Sequence, residues 1–163
     1  MIKYFALMLS AVLVGIDQLI KLQVLSVLAP VGRIEVVRGF FYLTYVENRG
    51  AAFGILQGHT NILTVVTSMV LVGALYLLLS GRIASAFLTW SLSLVIAGGA
   101  GNLIDRIFRS FVVDYLDFSV IFGFPVFNFA DCCVVVGTAL ILCGILWHDR
   151  QAGQGIQGKE KEA

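Results

Sequence analysis

Long runs without a charged side chain dominate this sequence. No Asp, Glu, Lys or Arg occurs from 50 to 81 or from 83 to 104, and Asp131 is the only one from 118 to 148. A helix of about 20 apolar residues crosses the hydrocarbon core of a bilayer. These runs and an N-terminal apolar stretch predict four membrane-spanning helices, over about 4–25, 61–80, 83–104 and 126–147.

The composition leaves little room for a soluble protein. Of the 163 residues, 59% are hydrophobic and 13% are charged, which is about half the charged share of a soluble domain. A free nucleic-acid-binding protein is excluded as well, because the net charge is only +1 and no basic stripe is visible. We therefore expect an all-α membrane protein: one four-transmembrane-helix bundle over 1–148, followed by a disordered cytoplasmic tail over 149–163.

The N-terminal span resembles a signal peptide, since Lys3 precedes an apolar stretch. The stretch continues past Asp17 and Lys21, however, and no small-x-small cleavage site follows a short core. We therefore expect it to be retained. Four spans place both termini on one side, and five basic residues on each side do not decide which; we expect the cytoplasm.

The connection between the first two spans is long and rich in β-branched and aromatic residues. Residues 34–37 and 40–46 carry this pattern. They predict a small β-rich cradle over about 31–58, lying at the membrane surface. We expect part of this segment to cover a bound substrate.

Several polar residues fall where a membrane protein can rarely tolerate them. A charged side chain at the bilayer centre costs about 2.5–3.5 kcal/mol on insertion scales, so it needs a partner or a function. Asp17 and Lys21 are four apart and share a helical face. They form either a self-neutralising pair near a helix end or a clamp that holds a polar site. We expect neither to do chemistry.

The ends of the third and fourth spans carry further polar groups. Asn102, Asp105 and Arg106 project from one helical face, after a run of small residues over 97–101 that permits close helix packing. Pro125 suits the first turn of the last span. Asn128 and Asp131 then share a face, with Asp131 about two turns inside.

Two carboxyl groups brought together in a partly desolvated place cannot both ionise easily, which yields one general base and one general acid. Such a pair can activate a water molecule against a carbonyl group. Asp114 lies 17 residues before Asp131. Spacing alone does not decide whether Asp105 or Asp114 is the partner of Asp131.

Other catalytic sets are weakly represented. His59 and His148 are the only histidines, and there is no His-Glu-x-x-His, Gly-x-Ser-x-Gly or phosphate-binding loop. The three cysteines have neither disulfide nor metal-site spacing. Two alternatives remain open. One is a small proton or ion transporter that uses intramembrane carboxylates. The other is a non-catalytic scaffold that binds helices through 98–101.

Five motifs, taken together, resemble those of one known family. They occur in order from the first span to the last: Asp17-Gln18-Leu19-Ile20-Lys21, Asn48-Arg49-Gly50-Ala51-Ala52-Phe53-Gly54, Gly98-Gly99-Ala100-Gly101-Asn102-Leu103-Ile104-Asp105-Arg106, Val112-Val113-Asp114 and Phe127-Asn128-Phe129-Ala130-Asp131. The chain is similar to the lipoprotein signal peptidases, or signal peptidases II, which are bacterial inner-membrane aspartic peptidases. Arg49 departs modestly from the family pattern, since many relatives have a small polar residue there.

The resemblance implies a reaction and a set of roles. The enzyme would cut before the diacylglyceryl-modified cysteine of a prolipoprotein, with Asp114 and Asp131 catalytic and with no metal or organic cofactor. It implies a site near the periplasmic leaflet, contact with membrane lipid and inhibition by globomycin. We assume a monomer. Asp105 would support the site by pairing with Arg106 or a neighbouring helix. The other residues expected to bind substrate or support the site are Asn48, Gly50, Asn102, Arg106, Asn128, Ala130, Asp17 and Lys21.

Overall fold

A computed structural model describes the backbone of residues 1–51 and 56–161, and all of their side chains except those of 122 and 148–161. Within this part of the chain there are five α-helices and three strands. In chain order they are α1 (Ile2–Gln23), β1 (Arg33–Val37), β2 (Phe41–Asn48), α2 (Thr60–Ser80), α3 (Ala86–Arg109), β3 (Val112–Asp117), α4 (Ser119–Phe122) and α5 (Phe129–Lys161).

Among the residues that the structure describes, four helices are long and apolar enough to cross a membrane, in the four apolar stretches of the sequence. A π-helical turn, Val24–Leu28, extends the first span. The four spans are Ile2–Leu28, Thr60–Ser80, Ala86–Arg109 and Phe129–Trp147. Large apolar side chains such as Met69, Val72 and Val135 are more than half exposed, as expected for helices that face lipid.

Helix α3 is the centre of the bundle, because it packs against α1, α2 and α5. Ser10 of α1 donates to the Ser93 carbonyl, and Lys21 donates to Asn102, so α1 and α3 run in the same direction. Helix α5 runs the opposite way. The C-terminal ends of α1 and α3 therefore meet the N-terminal end of α5 at one end of the bundle.

Small residues allow α3 and α5 to approach closely. A Cβ atom added at Gly98 would collide with the Ala130 carbonyl oxygen, and one at Gly137 would lie 2.8 Å from the Ser91 carbonyl oxygen. Gly98 belongs to the run of small residues in which the sequence predicts close packing. This contact fixes the height of the first turn of α5 against α3.

The three strands form one antiparallel sheet in the order β1-β2-β3 at the same end of the bundle. The first two strands lie where the sequence predicts a β-rich cradle. The third, β3, was not predicted, although Val112, Val113 and Tyr115 give it β-forming side chains. Val113 and Tyr115 pack against the end of the first span at Val24 and Leu28.

Two helix starts differ from the prediction. Helix α3 begins at Ala86 rather than 83, because the Ser85 side chain caps it by accepting from the Leu88 amide. Helix α5 begins at Phe129, so Pro125 precedes the helix instead of forming its first turn. Asp131 consequently lies in the first turn of α5, not two turns inside it.

The backbone of the polar tail continues α5 to Lys161, where the sequence predicts disorder. Gln, Glu, Lys and Ala are good helix formers, but Gly153, Gly155 and Gly158 each disfavour a helix by about 1 kcal/mol. A single exposed helix of about this length is marginal in water. The disorder of 149–163 stays a prediction.

Candidate active site

A cavity of about 290 Å³ opens where α3, α5 and the sheet meet. Asp114 and Asp131 both line it. Its lining combines polar and charged side chains with apolar ones. The lining residues are Val46, Glu47, Asn48, Arg49, Ala51, Gln57, Asn102, Arg106, Val112, Asp114, Phe124, Pro125, Val126, Phe127 and Asp131.

Strand β3 carries Asp114 into this cavity with only 2% of its surface exposed. Its Oδ1 accepts from Asn128 Nδ2 at 2.6 Å, and its Oδ2 accepts from Asn48 Nδ2 at 2.9 Å. Asn48 pairs with Val112 in the sheet, so it is a diagonal neighbour of Asp114 on the same face. The Asn48 oxygen in turn accepts from the Gly50 amide at 3.0 Å, which fixes the orientation of its side chain.

Burial and, to a smaller extent, the nearby negative charge of Asp131 together raise the pKa of Asp114 to about 7. The hydrogen bonds from Asn48 and Asn128 oppose this shift. The carboxyl of Asp114 is therefore suited to hold a proton near neutral pH.

Asp131 is held by the start of α5. Its Oδ2 accepts from the Asn128 backbone amide at 3.1 Å, while the Asn128 side-chain oxygen accepts from the Asp131 amide at 2.9 Å. This reciprocal pair has the form of a capping box, with Asn128 at the N-cap and Asp131 three residues later. The positive end of the helix dipole and the cap both favour a carboxylate at this position. The other oxygen, Oδ1, accepts from Asn102 Nδ2 at 2.8 Å.

A second polar cluster lies behind the cavity, in the interior of the bundle. Lys21 is completely buried, and its ammonium lies 2.9 Å from both Asp17 Oδ2 and Asp105 Oδ2. Asp17 also accepts from the Ala130 amide at 3.1 Å, which ties α1 to the first turn of α5. The pairing of Asp17 with Lys21 is thus part of a larger cluster rather than an isolated pair.

Asp105 belongs to this rear cluster. Its partners are Lys21 and Arg109, together with the Val113 amide at 3.1 Å. Of the two alternatives expected for it, Arg106 or a neighbouring helix, the structure has the second, through Lys21 of α1, and adds Arg109. The reason is helical spacing: Arg109, four residues on, shares its face. Asp105 therefore ties α3 to α1 and β3, whereas Asp114 and Asp131 share the cavity.

Two residues of the rear cluster escaped the sequence analysis. Gln18 donates to the Gly101 carbonyl at 3.1 Å and to Asp105 at 3.3 Å, and it accepts from Arg109. The two residues are Gln18 and Arg109. The i,i+4 spacing of Asp105 and Arg109 could have identified Arg109. No sequence pattern indicates a role for Gln18 beyond its position beside Asp17.

Arg106 faces the cavity instead. Its guanidinium donates to the Gly50 carbonyl at 3.3 Å and lies close enough to both Asp114 and Asp131 to interact with their charges. At the rim, Glu47 and Arg49 form an exposed ion pair at 2.8 Å. The remainder of that sequence motif, 52–54, lies outside the described residues.

The titratable groups do not suggest a metal centre. Among the residues that the structure describes, no three His, Cys, Asp or Glu side chains are arranged to hold a metal ion. Cys132, Cys133 and Cys143 are free thiols. The groups in the cavity that can transfer protons are the carboxyls of Asp114 and Asp131, which amide side chains hold in place.

Known proteins resemble this chain over most of its length. The sequence profile of the family described as signal peptidase (SPase) II matches residues 9–147. The lipoprotein signal peptidase of Clostridium acetobutylicum is 45% identical over 145 residues, covering 88% of this chain and 94% of the relative. That of Clostridioides difficile is 42% identical over 146 residues, covering 90% and 97%. A solved structure described as a bacterial membrane enzyme superposes with a TM-score of 0.77 at 31% identity, covering 87% of each chain.

Proposed function

The chain belongs to the signal peptidase II family, and on that premise we propose that Asp114 and Asp131 are the two catalytic carboxyls of a lipoprotein signal peptidase. Its activity is the cleavage of signal peptides from lipoproteins within a membrane. The observation that carries the assignment is that these two carboxyls line one cavity, each held by two hydrogen-bond donors. The transporter alternative finds no support among the relatives.

The two carboxyls have different roles. Asp131 is the general base, because the helix N-terminus, its cap and the Asn102 amide all stabilise the carboxylate form. Asp114 is the general acid, since burial and the neighbouring charge raise its pKa to about 7. The pair titrates as a coupled unit.

Hydrolysis then needs one water molecule. The Asp131 carboxylate takes a proton from this water as the oxygen attacks the carbonyl carbon of the scissile bond. Asp114 donates its proton to the carbonyl oxygen, which gives a neutral tetrahedral intermediate. When the C–N bond breaks, the proton held by Asp131 passes to the departing amine, and Asp114 regains its own from the collapsing hydroxyl.

The substrate is a prolipoprotein whose lipobox cysteine already carries diacylglyceryl, and the bond cut precedes that cysteine. The apolar residues of the lining include Phe124, Pro125, Val126 and Phe127, which suit acyl chains and apolar side chains. Arg106 lines the same cavity and donates to the Gly50 carbonyl, and so it fixes the backbone next to the bound peptide.

The remaining assignments concern support and location. Asn48, Asn102 and Asn128 orient the two carboxyls, whereas Asp17, Lys21, Asp105 and Ala130 fix the helices that carry them. The protein lies in the bacterial inner membrane as a monomer in contact with lipid, with its termini in the cytoplasm and its site near the periplasmic leaflet. Globomycin should occupy the cavity.

Purified protein tests the proposal with two matched substrates, a diacylglyceryl-modified prolipoprotein and the same chain without lipid. Mass spectrometry of the products should locate the cut directly before the modified cysteine and show little cleavage of the unmodified chain. Cleavage elsewhere, or equal cleavage of both substrates, would contradict the assignment. Proton flux through protein-containing vesicles without any cleavage would favour the transporter instead.

A further inference from the structure

We propose that Lys21 is a positioning residue that acts on the catalytic pair through the side chain of Asn102. Lys21 fixes the direction of this amide. The Asn102 side chain therefore always points its N–H donor, and never its carbonyl oxygen, at Asp131. The inference rests on the proposed roles of Asp114 and Asp131, and it adds a device that decides which of them is the base.

The argument begins with what an ammonium group can do. It has three N–H donors and no acceptor. In this structure the three partners are Asp17 Oδ2 and Asp105 Oδ2, both at 2.9 Å, and Asn102 Oδ1 at 3.0 Å. A flipped Asn102 would turn its own NH2 group towards the ammonium, donor against donor, in a fully buried place. The oxygen of Asn102 must therefore face Lys21.

This orientation is passed on to the catalytic pair. With its oxygen towards Lys21, the Asn102 amide turns its nitrogen to Asp131 Oδ1 at 2.8 Å. The same Asn102 oxygen accepts from Asn128 Nδ2 at 3.2 Å, and that nitrogen also donates to Asp114 Oδ1. One buried ammonium thus sets the direction of two amides, one on each carboxyl.

A donor on Asp131 Oδ1 favours the carboxylate, whereas a carbonyl oxygen there would favour the protonated acid by accepting its hydrogen bond. The fixed amide therefore keeps the base ionised while Asp114 keeps its proton. Without Lys21 only the longer bond from Asn128 Nδ2, at 3.2 Å, holds the Asn102 oxygen, so the amide turns more easily and the two carboxyls differ less in their preference for the proton.

The charges around Lys21 determine how it can be tested. Asp17 faces it from α1 and Asp105 from α3, while Arg109 pairs with Asp105, so two carboxylates meet two cations. Arg106 lies on the cavity side. Removing Lys21 alone would leave an uncompensated buried charge. The suitable variant is Asp17→Asn combined with Lys21→Met, which removes one charge of each sign and leaves Asp105 paired with Arg109.

The experiment measures kcat and KM for lipidated substrate from about pH 4 to pH 9. In the double variant the acid limb of the kcat/KM profile should move up by about one pH unit, which is a tenfold loss at low pH. The loss of activity should be smaller on the plateau of the pH profile, and it should appear in kcat rather than in KM. Lys21→Arg, which keeps a donor-only cation, should restore the wild-type profile. Asn102→Leu deletes the amide but leaves all charges of the rear cluster in place, and it should show the same displacement as the double variant.

Ser10→Ala is the matched control for packing, because Ser10 joins α1 to α3 without touching this cluster. It should lower thermal stability slightly and leave the profile unmoved. If a folded double variant or Asn102→Leu loses activity equally at every pH, the role of Lys21 is merely structural and the proposal is overturned. Full activity of Asp131→Asn, included in the same series, would instead overturn the proposed catalytic pair.

Discussion

A methyl group added at Gly101 should damage both the bundle and the site. The new Cβ of Gly101→Ala would lie 2.5 Å from Asp17 Oδ2 and 3.2 Å from the Ala130 Cβ. A relaxed carbon–oxygen contact is about 1 Å longer than the first distance. The Asp17 carboxylate cannot retreat cheaply, because Lys21 and the Ala130 amide hold its two oxygens.

The magnitude follows from two opposing effects. Overpacking of this kind costs about 1–3 kcal/mol, and moving the carboxylate weakens a buried ion pair as well. Alanine in a helix interior gains about 1 kcal/mol over glycine. Gly15→Ala and Gly73→Ala measure this gain by themselves, because nothing lies within 4 Å of a Cβ at either position. Gly101→Ala should therefore be about 1–3 kcal/mol less stable than these controls.

Unfolding in mixed detergent micelles, followed by tryptophan fluorescence, would measure the free energy of each variant. Cleavage of lipidated substrate would be measured in parallel. We expect the two controls to unfold no more easily than wild type and to retain activity. Gly101→Ala should unfold more easily and cut more slowly. A Gly101→Ala variant as stable as Gly15→Ala would refute the packing argument.

Three further predictions concern the site and the sheet. Above about pH 7 the rate of cleavage should fall as Asp114 loses its proton, which a pH–rate profile checks. Because folding raises the pKa of Asp114, the folded state should also lose stability as pH rises from about 4 to 7, which unfolding measured across that range checks. Asn48→Ala removes a donor that favours the anion of Asp114, so the basic limb of the pH–rate profile should move up by as much as about one unit, and an unmoved limb would contradict this role. Arg33→Gln removes a half-exposed partner of Asp117 and should change the free energy of unfolding by less than about 1 kcal/mol; a larger loss, measured by the same unfolding assay, would mean that the exposed sheet edge is more important than its exposure suggests.

The sequence was informative where the membrane imposes a single rule. A span needs about 20 mainly apolar residues, so three spans could be predicted from runs with at most one charged side chain, and the first from an apolar stretch that contains Asp17 and Lys21. The short strand β3 is subject to no such rule. Its apolar residues fit a strand or a buried helix equally well, and pairing with β2, 64 or more residues earlier, decides between them.

The start of α5 could have been predicted. Asn128 followed by Asp131 has the spacing of a capping box, whereas Pro125 favours an earlier helix start. The proline lies outside the helix, and the cap places Asp131 in the first turn. This difference affects function, since only a first-turn carboxylate benefits from the helix dipole.

The partner of Asp131 could not be chosen from spacing. Asp105 and Asp114 are both buried carboxyls at the same end of the bundle, and their roles differ only through their contacts. Lys21 and Arg109 neutralise Asp105, whereas neutral amides hold Asp114 in the cavity. Asn48 and Asp114 lie 66 positions apart, and Lys21 is farther still from Asp105, so no local pattern reveals these two contacts.

The most direct test of the catalytic pair compares Asp114→Asn, Asp131→Asn and Asp105→Asn on diacylglyceryl-modified prolipoprotein. Asparagine keeps the shape of each side chain and removes its ionisable group. Asp114→Asn and Asp131→Asn should each lose about 10²–10⁴ in kcat while remaining folded. Asp105→Asn should be less stable yet retain cleavage in the fraction that is folded. Wild-type rates from either of the first two variants, or complete loss in a fully folded Asp105→Asn, would contradict the account.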